Sequence, residues 1–365
     1  MAGVYISYPF CSQKCSFCNF ASGVFPRELQ IEYEDALLAE VRRHKWDWKP
    51  DTIYLGGGTP SHMDPALLHR LLHSIPGRPW REATIEAAPG SLTQELADHW
   101  RESGINRVSL GVQSFVTDEL RQMGRKHTAD TVAADCALLR GAGMENLNID
   151  LIAGLPGQTA ESWSESLDWI ERLEPPHISI YIFEIDEDSR LGLEVVNGGL
   201  RYGAGKLPSD ELTTELYETA VDRLAALGIE RYEISNFAEP GMESLHNLKY
   251  WKLEPYAGFG ADAHSFDGEN RISNVETALE YVNRWREGRG PLNDTTPACP
   301  GEERFFVGLR LLSGIQPTTD EWRKYAEPIQ RFVDSGLLQR DGTVLKLTRR
   351  GVLLSNEVFQ EFVHS

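Results

Sequence analysis

This chain of 365 residues is short of positive charge, has few cysteines and lacks a long apolar run. Its 36 Lys and Arg face 55 Asp and Glu, for a net charge of −19. So little positive charge argues against general nucleic-acid binding or attachment to an anionic membrane, although a local basic pocket stays open. No stretch reaches the ~20 apolar residues of a membrane-spanning helix. The opening MAGVYISYPF has neither a basic n-region nor a signal-peptide core. Five cysteines, three of them in one cluster, do not make the evenly used framework of a small secreted scaffold. A cytoplasmic location is the expectation. There is no internal repeat and no low-complexity tract.

What is present is an alternation. GVYIS, DTIYL, ATIEA, NRVSL, NLNIDLI and HISIYIF read as strands. Amphipathic helices are expected between them over 27–46, 65–75, 93–103, 128–142 and 160–173. This α/β rhythm implies right-handed crossovers and a parallel sheet, open or curled into a barrel, with ligands bound beyond the carboxyl ends of the strands. After about Ile185 the rhythm breaks. DEDSRLGLEVVNGGLRYGAGK reads as a long surface loop, a helix follows over 209–227, and RYEISNF reads as a strand. Beyond Pro300 come short helices and the hairpin LLQRDGTVLKLT, with Asp341-Gly342 as its turn. That outline is winged-helix-like. From Ile315 to Ser365 seven Lys and Arg are balanced by seven Asp and Glu, so packing or partner contact is expected rather than DNA reading. One core rarely grows past ~250–300 residues. The expected division is a core barrel over 1–235, a linker region carrying HNLKYW over 236–300 and a C-terminal module over 301–365.

CSQKCSFCNF places Cys11, Cys15 and Cys18 directly after the first strand, with Phe20 where a fourth cysteine might stand. Soft thiolates favour zinc or iron–sulfur clusters. A closed zinc site wants four ligands, commonly as two paired motifs, and no second pair exists. Cys136 and Cys299 are isolated, and Cys136 reads as a small buried hydrophobe in a helix. A [4Fe–4S] cluster takes one thiolate for each iron, so three thiolates leave one iron open to a small molecule. A zinc site completed from far along the chain is the alternative.

YISYPFCSQKCSFCNF resembles the signature of the radical S-adenosylmethionine (SAM) superfamily. The resemblance implies an incomplete (β/α)6 radical SAM barrel, here with a C-terminal α+β extension. It also implies that the three cysteines hold a [4Fe–4S] cluster, that SAM chelates the fourth iron, and that Phe17 packs against the adenine. Other strand ends supply further candidates. LGGGTP, with Gly57, Gly58 and Thr59, permits close backbone approach and offers N–H donors; it is not a phosphate loop, because no Gly-Lys-Ser/Thr follows. In the family this segment meets the amino group of SAM. Glu86 lies in TIEAAPG, Gln113 in SLGVQSF, Arg125 in MGRKH and Asp150 in NIDLIAGLPGQT. A carboxylate in an otherwise apolar strand is costly to bury without a partner, which makes Asp150 a site candidate and Arg125 its expected ion-pair partner. Together with Tyr5 these segments resemble the anaerobic coproporphyrinogen III oxidase group. By that resemblance Tyr5, Gly57, Glu86, Gln113, Arg125 and Asp150 take SAM-binding positions.

The oxidase branch of that group carries a fourth cysteine where this chain has Phe20. That departure, together with HNLKYW at 246–251, resembles the heme-chaperone branch, the HemW type. The resemblance implies a protein that keeps the cluster and SAM, binds heme and passes it to a heme-accepting respiratory protein. It leaves a transient contact with a membrane protein and a homodimer open, and it implies no coproporphyrinogen oxidation. The alternative is a radical SAM enzyme acting on a porphyrinogen; an RNA-modifying enzyme is disfavoured by the acidic balance. In this reading His246 supplies an imidazole to heme iron, Tyr250 and Trp251 offer flat apolar surface, and Lys249 or Arg271 meets a propionate. The plain alternative is a segment whose His and Asn satisfy backbone groups and whose aromatics fill core.

Overall fold

The computed structural model describes residues 2–18, 21–187 and 189–363. Phe20 lies outside them. The chain opens with β1 (Gly3–Tyr8), α1 (Arg27–Arg43), β2 (Thr52–Gly57), α2 (Pro65–His73), β3 (Glu82–Ala87), α3 (Gln94–Ser103), β4 (Arg107–Gln113), α4 (Thr117–Gln122), α5 (Ala129–Gly141), β5 (Asn146–Ala153), α6 (Ala160–Leu173) and β6 (His177–Ile182). The helices begin where capping residues dictate. Asp64, Thr93, Thr128 and Thr159 each accept a hydrogen bond from a first-turn N–H, and α3 ends on Gly104 in the left-handed region.

The remaining elements are α7 (Arg190–Val196), α8 (Asp210–Ala226), β7 (Glu230–Arg231), β8 (Asn236–Ala238), α9 (Leu245–Trp251), β9 (Tyr256–Phe259), β10 (His264–Phe266), β11 (Asn270–Asn274), α10 (Ala278–Arg286) and β12 (Leu292–Pro297). After them come α11 (Pro300–Phe306), α12 (Thr319–Lys324), α13 (Ala326–Asp334), the hairpin β13 (Leu338–Asp341) and β14 (Val344–Leu347), α14 (Arg349–Leu353) and α15 (Ser355–Phe362). Among the described residues the main sheet has twelve strands in the order β12-β11-β10-β9-β1-β2-β3-β4-β5-β6-β8-β7. Strands β1 to β6 are mutually parallel. They do not close on one another, because β1 pairs with β9 and β6 with β8.

Three expectations change. The glycine-rich stretch after β6 is not all loop: Ser189 caps α7 within it. RYEISNF is split between β7 and β8. Residues 236–300, expected as a linker, carry α9, α10 and four strands that extend the sheet beyond β1. Their short strands and turns lack the apolar runs that mark buried parallel strands.

One face of each central strand is apolar: Ile53 and Leu55, Val108 and Leu110, Leu147 and Ile149, Ile178 and Ile180 join the core with the helices. The alternate positions are polar, as in Glu82-Thr84-Glu86, Arg107-Ser109, Asn148-Asp150 and His177-Ser179. A closed barrel usually fills that inner face with branched apolar residues. Here it is a hydrogen-bonded polar shaft, open at the carboxyl ends of the strands. The C-terminal elements dock beside β7, where Arg310 lies 4.5 Å above the Trp251 ring and 3.8 Å from buried Glu233. Among the described residues no helix is long and apolar enough to cross a membrane.

Candidate functional site

The segment after β1 is clasped from both sides. Cys11 N–H donates to Gly23 O (2.8 Å) and Gly23 N–H to Pro9 O (2.9 Å). Gly58 N–H donates to Tyr8 O (2.8 Å) and Thr59 N–H to Phe10 O (2.9 Å). The N–H groups of Gly58 and Thr59 therefore hold the cysteine loop, while that of Gly57 points to Glu86 at the cavity. The lack of a side chain at Gly58 is essential: a Cβ there would stand 2.8 Å from backbone atoms of Tyr8, Pro9 and Phe10. Phe10 anchors the loop against Tyr8, Phe25 and Tyr33. Further along, Ser16 N–H reaches Met123 O (3.5 Å), Leu191 N–H reaches Ser16 O (2.9 Å), and Gln13 donates to Gly124 O.

Cys11, Cys15 and Cys18 are free, half-buried thiols. They line a cavity of about 720 Å³ at the carboxyl ends of β1 to β6. Phe17, Gly57, Gly58, Thr59, Glu86, Gln113, Arg125 and Asp150 line the same cavity. Burial pushes the Cys11 thiol up, partly offset by the hydroxyls of Thr59 and Ser22. Among the described residues no three His, Cys, Asp or Glu side chains converge on a single-ion site. A [4Fe–4S] cluster asks for a different layout, one thiolate on each of three irons, and three free thiols lining one cavity fit that donor set.

Two half-buried carboxyl groups face this space. Glu86 accepts from Tyr54 OH (2.9 Å) and from Gly57 N–H (3.2 Å). Burial, and then the neighbouring charge of Asp150, hold its carboxyl up at about 7. Asp150 accepts from Asn148 Nδ2 (2.7 Å) and Ser109 Oγ (3.2 Å), and burial raises it too. Arg125 is not its ion-pair partner: the guanidinium donates to Gly111 O (3.2 Å), and its buried Nε has no hydrogen-bond partner. Gln113 stands at φ 71°, where the β4–β5 register slips. A non-glycine residue in the left-handed region at a strand end is a strained conformation of the kind found at binding sites. Phe17 packs with Phe183 against Leu120, Met123 and Ile152.

Two expected site residues lie elsewhere. Tyr5 does not line the cavity; its ring stacks on Tyr54 at 6.2 Å. His246 sits at the opposite end of the shaft. A Cβ on Gly3, the first residue of β1, would stand 3.1 Å from His246 Cε1 and 2.9 Å from Thr52 Oγ1, on the first residue of β2. From Thr52 to Gly57 a strand spans roughly 16 Å. His246 is fully buried, with Nδ1 bonded to Thr52 Oγ1 (2.9 Å) and Nε2 to Tyr250 OH (2.8 Å). Burial lowers its pKa to about 3, with the charges of Lys249 and Arg107 adding to the effect. The ring has no nitrogen left for heme iron, which corrects that expectation. Lys249 is paired with Asp51 (2.8 Å), and Arg271 with Glu303 and Tyr256, so neither waits for a propionate. Sequence reading missed Tyr54, Arg107, Asn148, His177 and Tyr181. The period-two spacing of polar residues along β2 to β6 was the available signal.

A parallel six-unit β/α core with three thiols after its first strand is the architecture of the radical SAM superfamily, whose family model matches residues 5–170; that of the HemN C-terminal domain matches 296–354. Coproporphyrinogen III oxidase HemN from Escherichia coli has a similar fold, with a TM-score of 0.83 and 22% identity over 100% of this chain and 90% of that one. A Bacillus subtilis protein named heme chaperone HemW is 34% identical over 100% of this chain and 99% of its own length. A Lactococcus lactis protein of the same name is 34% identical, over 98% of this chain and 96% of its own length. The chain belongs to this HemW family.

Proposed function

We propose that this chain is a heme chaperone that binds heme and passes it to a heme-accepting respiratory protein. The observation that carries the reading is one cavity lined by three free thiols and two half-buried carboxyl groups, in a chain similar along its whole length to proteins named heme chaperones. Cys11, Cys15 and Cys18 would hold a [4Fe–4S] cluster, which when bound supplies an iron with a coordination position open to SAM. Glu86 and Asp150 then offer negative charge to a cationic ligand, and the unpartnered Nε of Arg125 offers a donor to its carboxylate. Phe17 supplies a ring face for the adenine. Because His246 and Lys249 of HNLKYW are buried and paired, the surface for heme is better sought at the cavity, where Tyr181, Ile182 and Phe183 present apolar area. A cytoplasmic location, and the absence of nucleic acid among its partners, accord with the net charge of −19.

We read residues 301–363 as a winged-helix-like module for packing or partner contact, which includes contact with a membrane-bound acceptor or a second copy of the chain. Anoxic titration of the cluster-loaded protein with heme, beside an assay with coproporphyrinogen, SAM and reductant, tests the reading. Saturable heme binding without porphyrinogen turnover is expected; formation of protoporphyrinogen would place the chain with the oxidases.

A further inference from the structure

The shaft between the cavity and α9 is threaded by polar groups. Ser244 caps α9, and Glu82 accepts from Ser244 Oγ (3.3 Å), Leu245 N–H (2.7 Å) and His246 N–H (2.9 Å). Two strings rise from this turn. In the first, the His246 ring stacks on Tyr54 (5.4 Å between centroids), and Tyr54 OH donates to Glu86. In the second, Ser244 N–H donates to Tyr232 OH (3.2 Å), which bonds His177 Nε2 (2.9 Å). His177 Nδ1 bonds Asn148 Oδ1 (2.6 Å), and Asn148 Nδ2 donates to Asp150 (2.7 Å). Burial keeps His177 neutral, so it carries one ring proton. The amide oxygen accepts that proton from Nδ1, and Nε2 accepts from the tyrosine, which fixes the sense of every bond in the string.

We infer that the first turn of α9 is a positioning element for the cavity carboxyl groups: His246 acts on Glu86 through Tyr54, and Tyr232, His177 and Asn148 act in series on Asp150. The inference rests on the SAM reading above. Buried carboxyl groups without such donors would turn, or keep their protons. With the donors in place, both are aimed at a ligand that carries a sulfonium and an ammonium. The histidine of HNLKYW then serves the site from the far end of the shaft without touching a ligand. The other groups facing Glu86 are Tyr5 on β1, Arg107 on β4, Asp150 on β5, Tyr181 on β6 and Tyr250 on α9; Arg125, Lys126 and Lys14 also line the cavity.

The test is calorimetric binding of SAM, and of S-adenosylhomocysteine as its neutral-sulfur counterpart, to the cluster-loaded protein from about pH 6 to about pH 8.5. Wild type should prefer SAM, and the preference should grow as pH passes about 7, where Glu86 ionises. Tyr54→Phe and Tyr232→Phe keep their rings in place and remove one donor each. Each should cut the preference by about tenfold, and Tyr54→Phe, which removes the donor to Glu86 itself, should also move its midpoint to higher pH. His246→Leu, which removes the ring stacked on Tyr54, should do the same, with His246→Phe restoring most of the loss. Unchanged preference and midpoint in both tyrosine variants, with normal wild-type binding, would overturn the inference alone. A wild type that binds no SAM would overturn the SAM reading and this inference with it.

Discussion

Replacing Glu86 by Gln should change how stability depends on pH. The carboxyl is buried beside Asp150 and titrates at about 7 in the fold, against an ordinary 4.5. Below 4.5 it is protonated in both folded and unfolded chains and has no effect on the pH slope. As pH rises, the unfolded chain releases its proton first, so stability falls, and the loss is complete above about 7. The interval from 4.5 to about 7 corresponds to roughly 3 kcal/mol. Glu86→Gln is neutral throughout and escapes that loss. Between about pH 5 and about pH 8 the variant should gain most of this amount relative to wild type. A fixed cost of the amide beside Gly57 N–H cancels in the comparison. Glu40, also held up at about 7 by burial, titrates alike in both proteins and cancels as well. Thermal unfolding of the cluster-free chain reads the effect as a Tm gap that widens by a few degrees. Parallel Tm curves across this range would refute the placement of Glu86 as a carboxyl group whose desolvation outweighs its hydrogen bonds.

Cys15→Ser should abolish the visible thiolate-to-iron absorption of anoxically reconstituted protein; retention of that absorption would assign the iron to other ligands. Gly58→Ala puts a methyl group 2.8 Å from the backbone that leads into Cys11, so iron and sulfide content should fall while far-ultraviolet circular dichroism stays near wild type. His246→Phe should leave heme affinity within about twofold of wild type; loss of heme binding would return that ring to the heme site.

The six parallel strands and most of the helices between them are legible because their signals are local. Each strand is a short apolar run, and each helix starts at a capping residue such as Thr128 or Thr159. Cys11, Cys15 and Cys18 are legible because their spacing and their place after β1 are visible in one line of sequence. The role of His246 is not. Its four-residue spacing to Tyr250 puts both on one helix face, but its other partner, Thr52, lies 194 positions away. Whether an imidazole binds iron or fills a buried polar junction depends on that distant partner. The same holds for Asp150. Its strand reads as apolar, yet Asn148 sits two residues before it on the same face and Ser109 reaches it from the neighbouring strand. The partners of the Gly58 and Thr59 N–H groups were not legible because a turn shows only that its backbone can approach something. Here that something is Tyr8 and Phe10.

Heme transfer tests the central claim most directly. Cluster-loaded protein is saturated with heme under anoxic conditions, mixed with a heme-free acceptor, and both partners are separated and read by absorption. The account predicts that heme moves to the acceptor and leaves the cluster intact on this chain. Heme that never binds, while added coproporphyrinogen is converted in the presence of SAM, would contradict it.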